Sequence, residues 1–334
     1  MAVTDTWVSG MIQVAIIGFS GALASAMTGM MDLFRLAGVT WARIQDEEPD
    51  PQFHVRLLTR DGRPCRCING ITLDAHGRWQ DADQADLVIV PTIGGPMEHV
   101  LSEHSDLLPH LAQQVDRGAA LASNCTGAFL LAEAGVLDGR TATTHWGFAD
   151  HFRARYPQVD CHPERLITVD GPVACAGGGM AWWDLGVYLV AYYAGDRIAR
   201  ELSRSFVIDA GRQSQAPYAT LQNRRYHQDP VIDKLQSWLE EQFHRPLDTA
   251  DLCEVTGLGE RSLLRRFQRA TGDTPRHYIQ LLRVEAARRS LESTNTPLAR
   301  ITQAVGYDDV SSFSRLFRKH TGLSPGQYRA RFGR

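Results

Sequence analysis

The sequence predicts two domains in series. The first is an α/β domain, an open and mainly parallel sheet sandwiched by helices. The second is an all-α domain that carries one helix–turn–helix unit twice. Three observations support this division. At 334 residues the chain exceeds one typical domain. Short β-rich runs alternate with helical patterns over its first part, as in open parallel sheets. Near the end, Phe267, Thr271, Gly272, Pro275 and Tyr278 recur at one constant offset as Phe317, Thr321, Gly322, Pro325 and Tyr328. A single such pair means a duplicated unit rather than a solenoid.

Composition bounds the alternatives. With 43% hydrophobic residues the chain can bury a sizeable core and is not of the disordered class. The apolar run over residues 11–31 is studded with Gly and Ser and follows Asp5 rather than a basic region, so no secretory signal is expected. No stretch reaches the roughly 20 uninterrupted apolar residues of a membrane span. The six cysteines are scattered, and Cys65-Arg-Cys67 is too close for zinc-ribbon spacing. We therefore expect no metal, no cofactor, no membrane partner and a reducing, cytoplasmic setting.

In chain order, Gln13-Val-Ala-Ile-Ile-Gly18 reads as a first strand, and Val55-Arg-Leu-Leu58 and Asp86-Leu-Val-Ile-Val-Pro91 repeat the pattern. Gly94-Gly95-Pro96 follows, then a helical pattern over residues 107–117. Ala119-Ala-Leu-Ala-Ser-Asn-Cys125 is a strand running straight into Thr126-Gly127 and a helix through Ala134. Ligands of such sheets bind beyond the carboxyl ends of strands, where Gly94, Gly95 and Cys125 would sit. A cysteine at a strand-to-helix turn faces a helix N-terminus, which favours negative charge and lowers its pKa. Cys125 is then a plausible nucleophile. It is equally a small residue filling a crowded turn.

Residues 212–229 are polar, without a sustained period, and read as an interdomain connector. Residues 231–243 form an amphipathic helix with Ile232, Leu235, Trp238, Leu239 and Phe243 inward. The first repeat then opens with a helix over 247–255, capped by Asp248 and stopped by Gly257. Its second helix, over 260–271, puts Leu263, Leu264 and Phe267 on one face and Arg261, Arg265 and Gln268 on another. In the second repeat a helix over 298–305 is stopped by Gly306. Phe313, Leu316 and Phe317 then face inward, and Ser311, Ser312, Arg315 and Lys319 face outward. Residues 260–334 hold 15 Lys and Arg against 6 Asp and Glu, while the whole chain holds 35 against 38. A basic end on an acidic chain suits contact with phosphate, and a helix–Gly turn–helix unit can set its second helix in a DNA major groove. A bundle with a solvated basic face is the plainer alternative, which two copies in register disfavour.

Two resemblances extend this reading. Residues 232–332 resemble the AraC/XylS DNA-binding domain, through Ile301-Thr-Gln-Ala-Val-Gly-Tyr-Asp-Asp309, Phe313, Arg315, Phe317, Gly322, Ser324-Pro325 and Tyr328-Arg329. The resemblance implies two helix-turn-helix units joined by a linker helix near 277–292. It places Arg261, Leu264 and Arg265 in one recognition helix, and Val310, Ser311, Ser312, Ser314 and Arg315 in the other, facing bases. Residues 125–146, beginning Cys125-Thr-Gly-Ala-Phe-Leu-Leu-Ala and ending His145-Trp146, resemble the ThiJ/PfpI group. That group has the class I glutamine-amidotransferase-like, flavodoxin-like fold, and one branch is fused to AraC-type domains. The resemblance implies a pocket near Gly94, Gly95, Cys125, Thr126, His145, Trp146 and Trp182. It departs in two places: Ala26 stands where enzymatic members carry an acid, and Thr126 where PfpI-type proteases carry His. A Cys–His pair without its acidic partner is weak support for catalysis.

The expected protein is a transcription regulator, read as an activator, with a sensing domain over 11–209, a linker over 210–229 and a DNA-binding domain over 230–334. Its partners would be double-stranded DNA, a small-molecule effector such as an amino acid or quaternary amine, and a second copy through the first domain, with RNA polymerase a candidate further partner. Trp146, Trp182 and Trp183 could form an aromatic wall for a cation. Arg265 and Arg315 are expected to read guanine, and Arg266, Arg269, Arg318 and Lys319 to contact phosphate. The alternatives are a cysteine-dependent hydrolase or hydratase using Cys125, and a redox sensor at the same thiol.

Overall fold

The strands expected from the β-rich runs form, with further short strands between and after them. They are β1 (Ile12–Ile17), β2 (Phe53–Thr59), β3 (Cys65–Arg66), β4 (Thr72–Leu73), β5 (Gly77–Arg78), β6 (Leu87–Val90), β7 (Ala120–Asn124), β8 (Thr141–Ala142), β9 (Asp160–Cys161), β10 (Ile167–Asp170) and β11 (Val173–Ala176). The structure, a computed structural model, describes residues 10–209, 211–219, 227 and 229–333. The first unit extends to Gln215 and the second begins at Ala216.

In the first unit one seven-stranded sheet has the order β10-β11-β7-β6-β1-β2-β5. All neighbours are parallel except β10 and β11. Parallel strands covered on both faces should read as continuous apolar runs. Val14, Ala15, Ile16 and Ile17 of β1 and Leu87 to Val90 of β6 are accordingly all buried. The covering helices are α1 (Ala24–Leu36), α2 (Thr40–Ile44), α3 (Met97–Glu103), α4 (Leu108–Asp116), α5 (Ala128–Glu133), α6 (Ala149–Arg155) and α7 (Ala181–Phe206). The α1–α7 seam depends on one glycine: a Cβ on Gly29 would lie 1.9 Å from the ring of Trp182. Chain direction across the sheet reverses between β1 and β6, so the crevice beyond their carboxyl ends is the topological switch point.

The second unit contains α8 (Pro230–Gln242), α9 (Thr249–Thr256), α10 (Glu260–Thr271), α11 (Pro275–Ser293), α12 (Leu298–Ala304), α13 (Val310–Thr321) and α14 (Pro325–Phe332). It has two small cores. Ile232, Leu235, Leu239, Leu252, Leu263 and Phe267 build the first, and Ile301, Val305, Phe313, Phe317 and Tyr328 the second. Helix α11 serves both, giving Tyr278, Ile279 and Leu282 to one and Val284, Ala287 and Leu291 to the other. The sequence repeat is a repeat in space. Phe267 meets Tyr278 edge-on at 5.5 Å, and Phe317 meets Tyr328 edge-on at 5.3 Å. Gly272 and Gly322 both end their helices at φ +74°, a conformation that favours glycine.

The connector differs from its expected form. Gln213 to Gln215 lie against residues 164–166 of the first unit: Gln215 N–H donates to the Glu164 carbonyl, and Leu166 N–H donates to that of Gln213. The first unit therefore runs beyond the expected end at residue 209. Ala216–Tyr218 form a short turn held within the second unit. Within the expected linker, residues 210, 220–226 and 228 lie outside the described residues.

Candidate pocket and nucleic-acid interface

Cys125 follows directly on β7 with φ +56°, one of the positive-φ residues that are not glycine. The strained turn is supported from two sides. Thr144 Oγ1 donates to the Cys125 carbonyl at 2.9 Å, and Thr126 Oγ1 donates to the Ile93 carbonyl at 2.9 Å. Gly127 must be glycine for packing, since a Cβ there would lie 2.6 Å from the carbonyl oxygens of Val90 and Pro91. The elbow geometry is as expected from the sequence, but the protonation state is not. Cys125 is only 4% exposed, and burial pushes its thiol up in pKa. Hydrogen bonds from the Gly179 and Thr126 backbone and the Thr126 and Thr92 hydroxyls oppose the shift without reversing it. The thiol is therefore neutral at pH 7, contrary to the lowered pKa expected at a helix N-terminus. Desolvation outweighs the short helical turn because Cys125–Gly127 is a 3-10 turn ahead of α5, not the first turn of a long helix.

His145 is half-buried and directly follows Thr144, whose hydroxyl holds the Cys125 carbonyl. Its Nδ1 accepts the Gly147 N–H at 3.0 Å, so the ring proton resides on Nε2. Burial holds its pKa below the ordinary imidazole range, so it is neutral. Among the described residues no hydrogen bond joins His145 to Cys125 and no carboxylate pairs with His145. Its ring lies on Gly178, where an added Cβ would fall 2.4 Å from Cδ2. The Trp146 ring stands 5.2 Å from it. Ala26, in the place of the expected acid, is buried in α1.

The other residues expected to line the pocket divide. Gly94 and Gly95 both donate their N–H groups to the Gly21 carbonyl, at 2.8 and 3.1 Å, which fixes the two loops at the switch point to each other. Trp182 does not line a pocket. It is 1% exposed, packed on Gly29 and stacked on the half-buried Trp183 at 4.1 Å, so it drops out of the expected aromatic wall. The residue that sequence reasoning missed is Gln215. It is 3% exposed, and its carboxamide joins the backbone on both sides of His145: Nε2 donates to the Thr144 carbonyl at 2.7 Å, and Oε1 accepts from Trp146 N–H at 3.3 Å and from Gly178 N–H at 2.8 Å. Nothing in its polar neighbourhood in sequence signals this. Among the described residues no cluster of three or more His, Cys, Asp or Glu is arranged to hold a metal ion.

The second unit presents its cations as the sequence suggested, with one exception. Helix α9 is capped by Asp248, reciprocally with Asp251, and ends at Gly257 with φ +66°. On α10, Arg261, Arg265 and Arg269 are exposed and form no hydrogen bond or ion pair among the described residues, while Leu264 is 39% exposed beside them. On α13, Ser311, Arg315, Arg318 and Lys319 are exposed, Ser312 and Ser314 are half-buried, and Arg315 donates to Ser312 Oγ at 3.2 Å. Asp309 caps α13 through the Ser311 and Ser312 N–H groups. Arg266 is the exception. Its guanidinium is bidentate on Asp229, at 2.5 and 2.9 Å, and Asp229 also caps α8. That arginine ties α10 to α8 and is not an open phosphate contact.

Arg283 of α11, unnoticed in the sequence, sets the two helix-turn-helix units relative to each other. It donates to the carbonyls of Phe243 (2.8 Å), Arg245 (2.7 Å) and Gly306 (3.0 Å) and lies over the Tyr307 ring at 5.1 Å. Gly306, at φ +82°, approaches so closely that a Cβ would lie 2.4 Å from the His244 carbonyl oxygen.

Comparison with known proteins agrees with this division. Residues 17–183 match the DJ-1/PfpI family and residues 252–331 match a helix-turn-helix domain family. The chain is 33% identical over 292 residues to the HTH-type transcriptional regulator CdhR of Pseudomonas aeruginosa, covering 84% of each chain. It is 30% identical over 284 residues to the HTH-type transcriptional regulator GlxA of Rhizobium meliloti, covering 85% of this chain and 87% of that one. Among solved structures, a putative transcriptional regulator protein from Vibrio parahaemolyticus superposes with a TM-score of 0.51 at 22% identity, over 59% of this chain and 100% of that one. Drosophila melanogaster DJ-1beta does so with a TM-score of 0.50 at 16% identity, over 60% and 99%. These two likenesses establish the fold of the first unit.

Proposed function

This chain belongs to the HTH-type transcriptional regulators that place a DJ-1/PfpI domain ahead of an AraC-type DNA-binding domain, and from that footing we propose that its first unit is the receptor for a small metabolite and its second reads DNA under that receptor's control. The chain is a DNA-binding transcription regulator. The observation that carries the receptor reading is the state of the elbow: a buried neutral thiol and a neutral His145 that is not bonded to it. A nucleophile needs a thiolate and a base within reach. Beside this elbow the His145 Nε2–H is instead a donor for a ligand, with the Trp146 ring alongside.

The second unit would set α10 and α13 in successive major-groove faces of one DNA segment. Arg261, Leu264 and Arg265 on the first, and Ser311, Ser312, Ser314 and Arg315 on the second, would face bases, with Arg269, Arg318 and Lys319 on phosphates. We further propose activation as the regulatory sense and a homodimer through the first unit. The decisive experiment is a thermal-shift screen of amino acids and amines on the full chain, since a ligand that binds only the native state raises its melting temperature. A saturable shift without consumption of the compound is expected, and it should survive Cys125→Ala. Turnover of any hit that Cys125→Ala abolishes would instead establish the cysteine-dependent hydrolase or hydratase.

A further inference from the structure

We propose that Gln215 is the residue that transmits the state of the pocket to the DNA-reading unit, an inference that rests on the receptor reading of that pocket. Gln215 closes the first unit, and its backbone is fixed there by the Glu164 carbonyl, beside Ser214, whose hydroxyl donates to that same carbonyl at 2.7 Å. Its carboxamide is fully engaged. Besides Thr144, Nε2 reaches Thr143 Oγ1 and the Arg165 carbonyl, both at 3.3 Å, while Oε1 takes the Gly178 and Trp146 N–H groups. Gly177 leaves it room, since a Cβ there would lie 2.4 Å from Nε2. Thr144 in turn holds the Cys125 carbonyl. One buried amide thus senses the backbone on each side of His145 and, through Thr144, the elbow.

The next residue belongs to the other unit. Ala216 opens the turn Ala216–Tyr218, and Arg288 of α11 binds the carbonyls of Ala216, at 2.9 Å, and of Ala219. Arg288 is 5% exposed and lies on the helix that serves both helix-turn-helix cores. A connector of many free residues would average out any displacement at one end. Here consecutive Cα atoms, about 3.8 Å apart, separate one anchored side chain from the other anchor. A ligand that moves Trp146 or Gly178 breaks hydrogen bonds to a buried amide, which strongly disfavours Gln215 in its present place. Its release frees the residue to which Ala216 is bonded. Equilibrium coupling of this kind is reciprocal.

Hydrogen exchange on the full-length chain tests this without any ligand. In Gln215→Met, which preserves volume and removes the amide, the Gly178 and Trp146 amides should exchange faster by about tenfold, as expected for loss of a buried hydrogen bond. The Ala219 amide in the other unit should quicken as well. Arg288→Lys should show the reverse, quickening Ala219 and also Gly178. A merely structural role for either side chain would confine the change to its own unit, and that outcome refutes transmission. Where Gln215→Met does not fold, Gln215→Leu, which also removes the acceptor toward Gly178 and Trp146, is judged by the same two-unit criterion. A failed ligand screen would refute the receptor reading alone, and a response confined to one unit would refute transmission alone.

Discussion

Arg283→Ala should damage DNA binding without touching any of the residues proposed to face bases. The Arg283 side chain donates three hydrogen bonds to backbone carbonyls, those of Phe243, Arg245 and Gly306. Hydrogen bonds from a charged donor contribute about 1.5–3 kcal/mol each when well made. The bond to Arg245 is exposed and water replaces it at little cost, so it counts for little. The two half-buried bonds leave their carbonyls short of a partner after truncation, and they dominate. The expected loss is about 2–4 kcal/mol of stability in the second unit, below the simple sum because a half-buried site admits some water. The more telling effect is on cooperativity. The two cores share α11 and Phe243, and Arg283 pins the turn at Gly306 to the end of α8. Without it the recognition helices lose their fixed spacing, and each docks less often in register with the other. Urea titration of the full chain should show a lowered midpoint for the second unit. Binding to a duplex selected from a random library by the wild-type chain should weaken by at least an order of magnitude, as expected for more than 1.4 kcal/mol of lost binding. Arg283→Lys should recover only part of both, since an ammonium cannot reach three divergent carbonyls as a planar guanidinium does. An unchanged midpoint together with unchanged affinity would refute the clamp.

Other outcomes follow from the same contacts. Arg315→Ala and Arg265→Ala should each relax sequence preference at one base position, by about 1–3 kcal/mol in a library selection; an unaltered preference would remove that residue from base readout. Arg269→Ala should lower the salt dependence of DNA binding by about one phosphate contact, whereas Arg266→Ala should leave that slope unchanged and fray α8, because Arg266 is spent on Asp229. Burial pushes the thiols of Cys65, Cys161 and Cys175 up to about 11. A raised folded-state pKa keeps its stabilising effect below the unfolded thiol pKa, so stability should hold through neutral pH and fall as pH rises toward about 11. Denaturation midpoints that rise with pH over that window would contradict the burial. Gly29→Ala should destabilise the first unit by about 1–3 kcal/mol through overpacking against Trp182, a loss that calorimetry of the full chain would detect.

Much of the second unit was legible because its determinants are local. Asp248 starts its helix through its own side chain, and Gly257, Gly272 and Gly322 end theirs by backbone preference. The apolar spacing of Leu263, Phe267, Phe313 and Phe317 then decides which face is buried. The strand runs of the first unit were legible for a related reason, since a parallel strand covered on both faces leaves a continuous apolar signature. The candidate pocket was legible only in outline. Cys125 was placed correctly at its turn and given the wrong protonation state, and Trp182 was assigned to a wall when it is core.

By itself, then, the sequence determined the two-domain order, the tandem helix-turn-helix repeat and the exposed cations of α10 and α13, because periodicity, caps and net charge act over one or two helical turns. Tertiary structure alone decided that burial keeps the Cys125 thiol protonated, that Arg266 belongs to Asp229, and that Gln215 is buried against the backbone on both sides of His145 rather than free linker. Each of these depends on desolvation or on a partner tens of residues away: 37 between Arg266 and Asp229, and 71 between Gln215 and Thr144. A local pattern has no access to what the fold brings to such a side chain, and for Gln215 the surrounding polar residues pointed to solvent while the fold supplied the Thr144 carbonyl and the Gly178 amide.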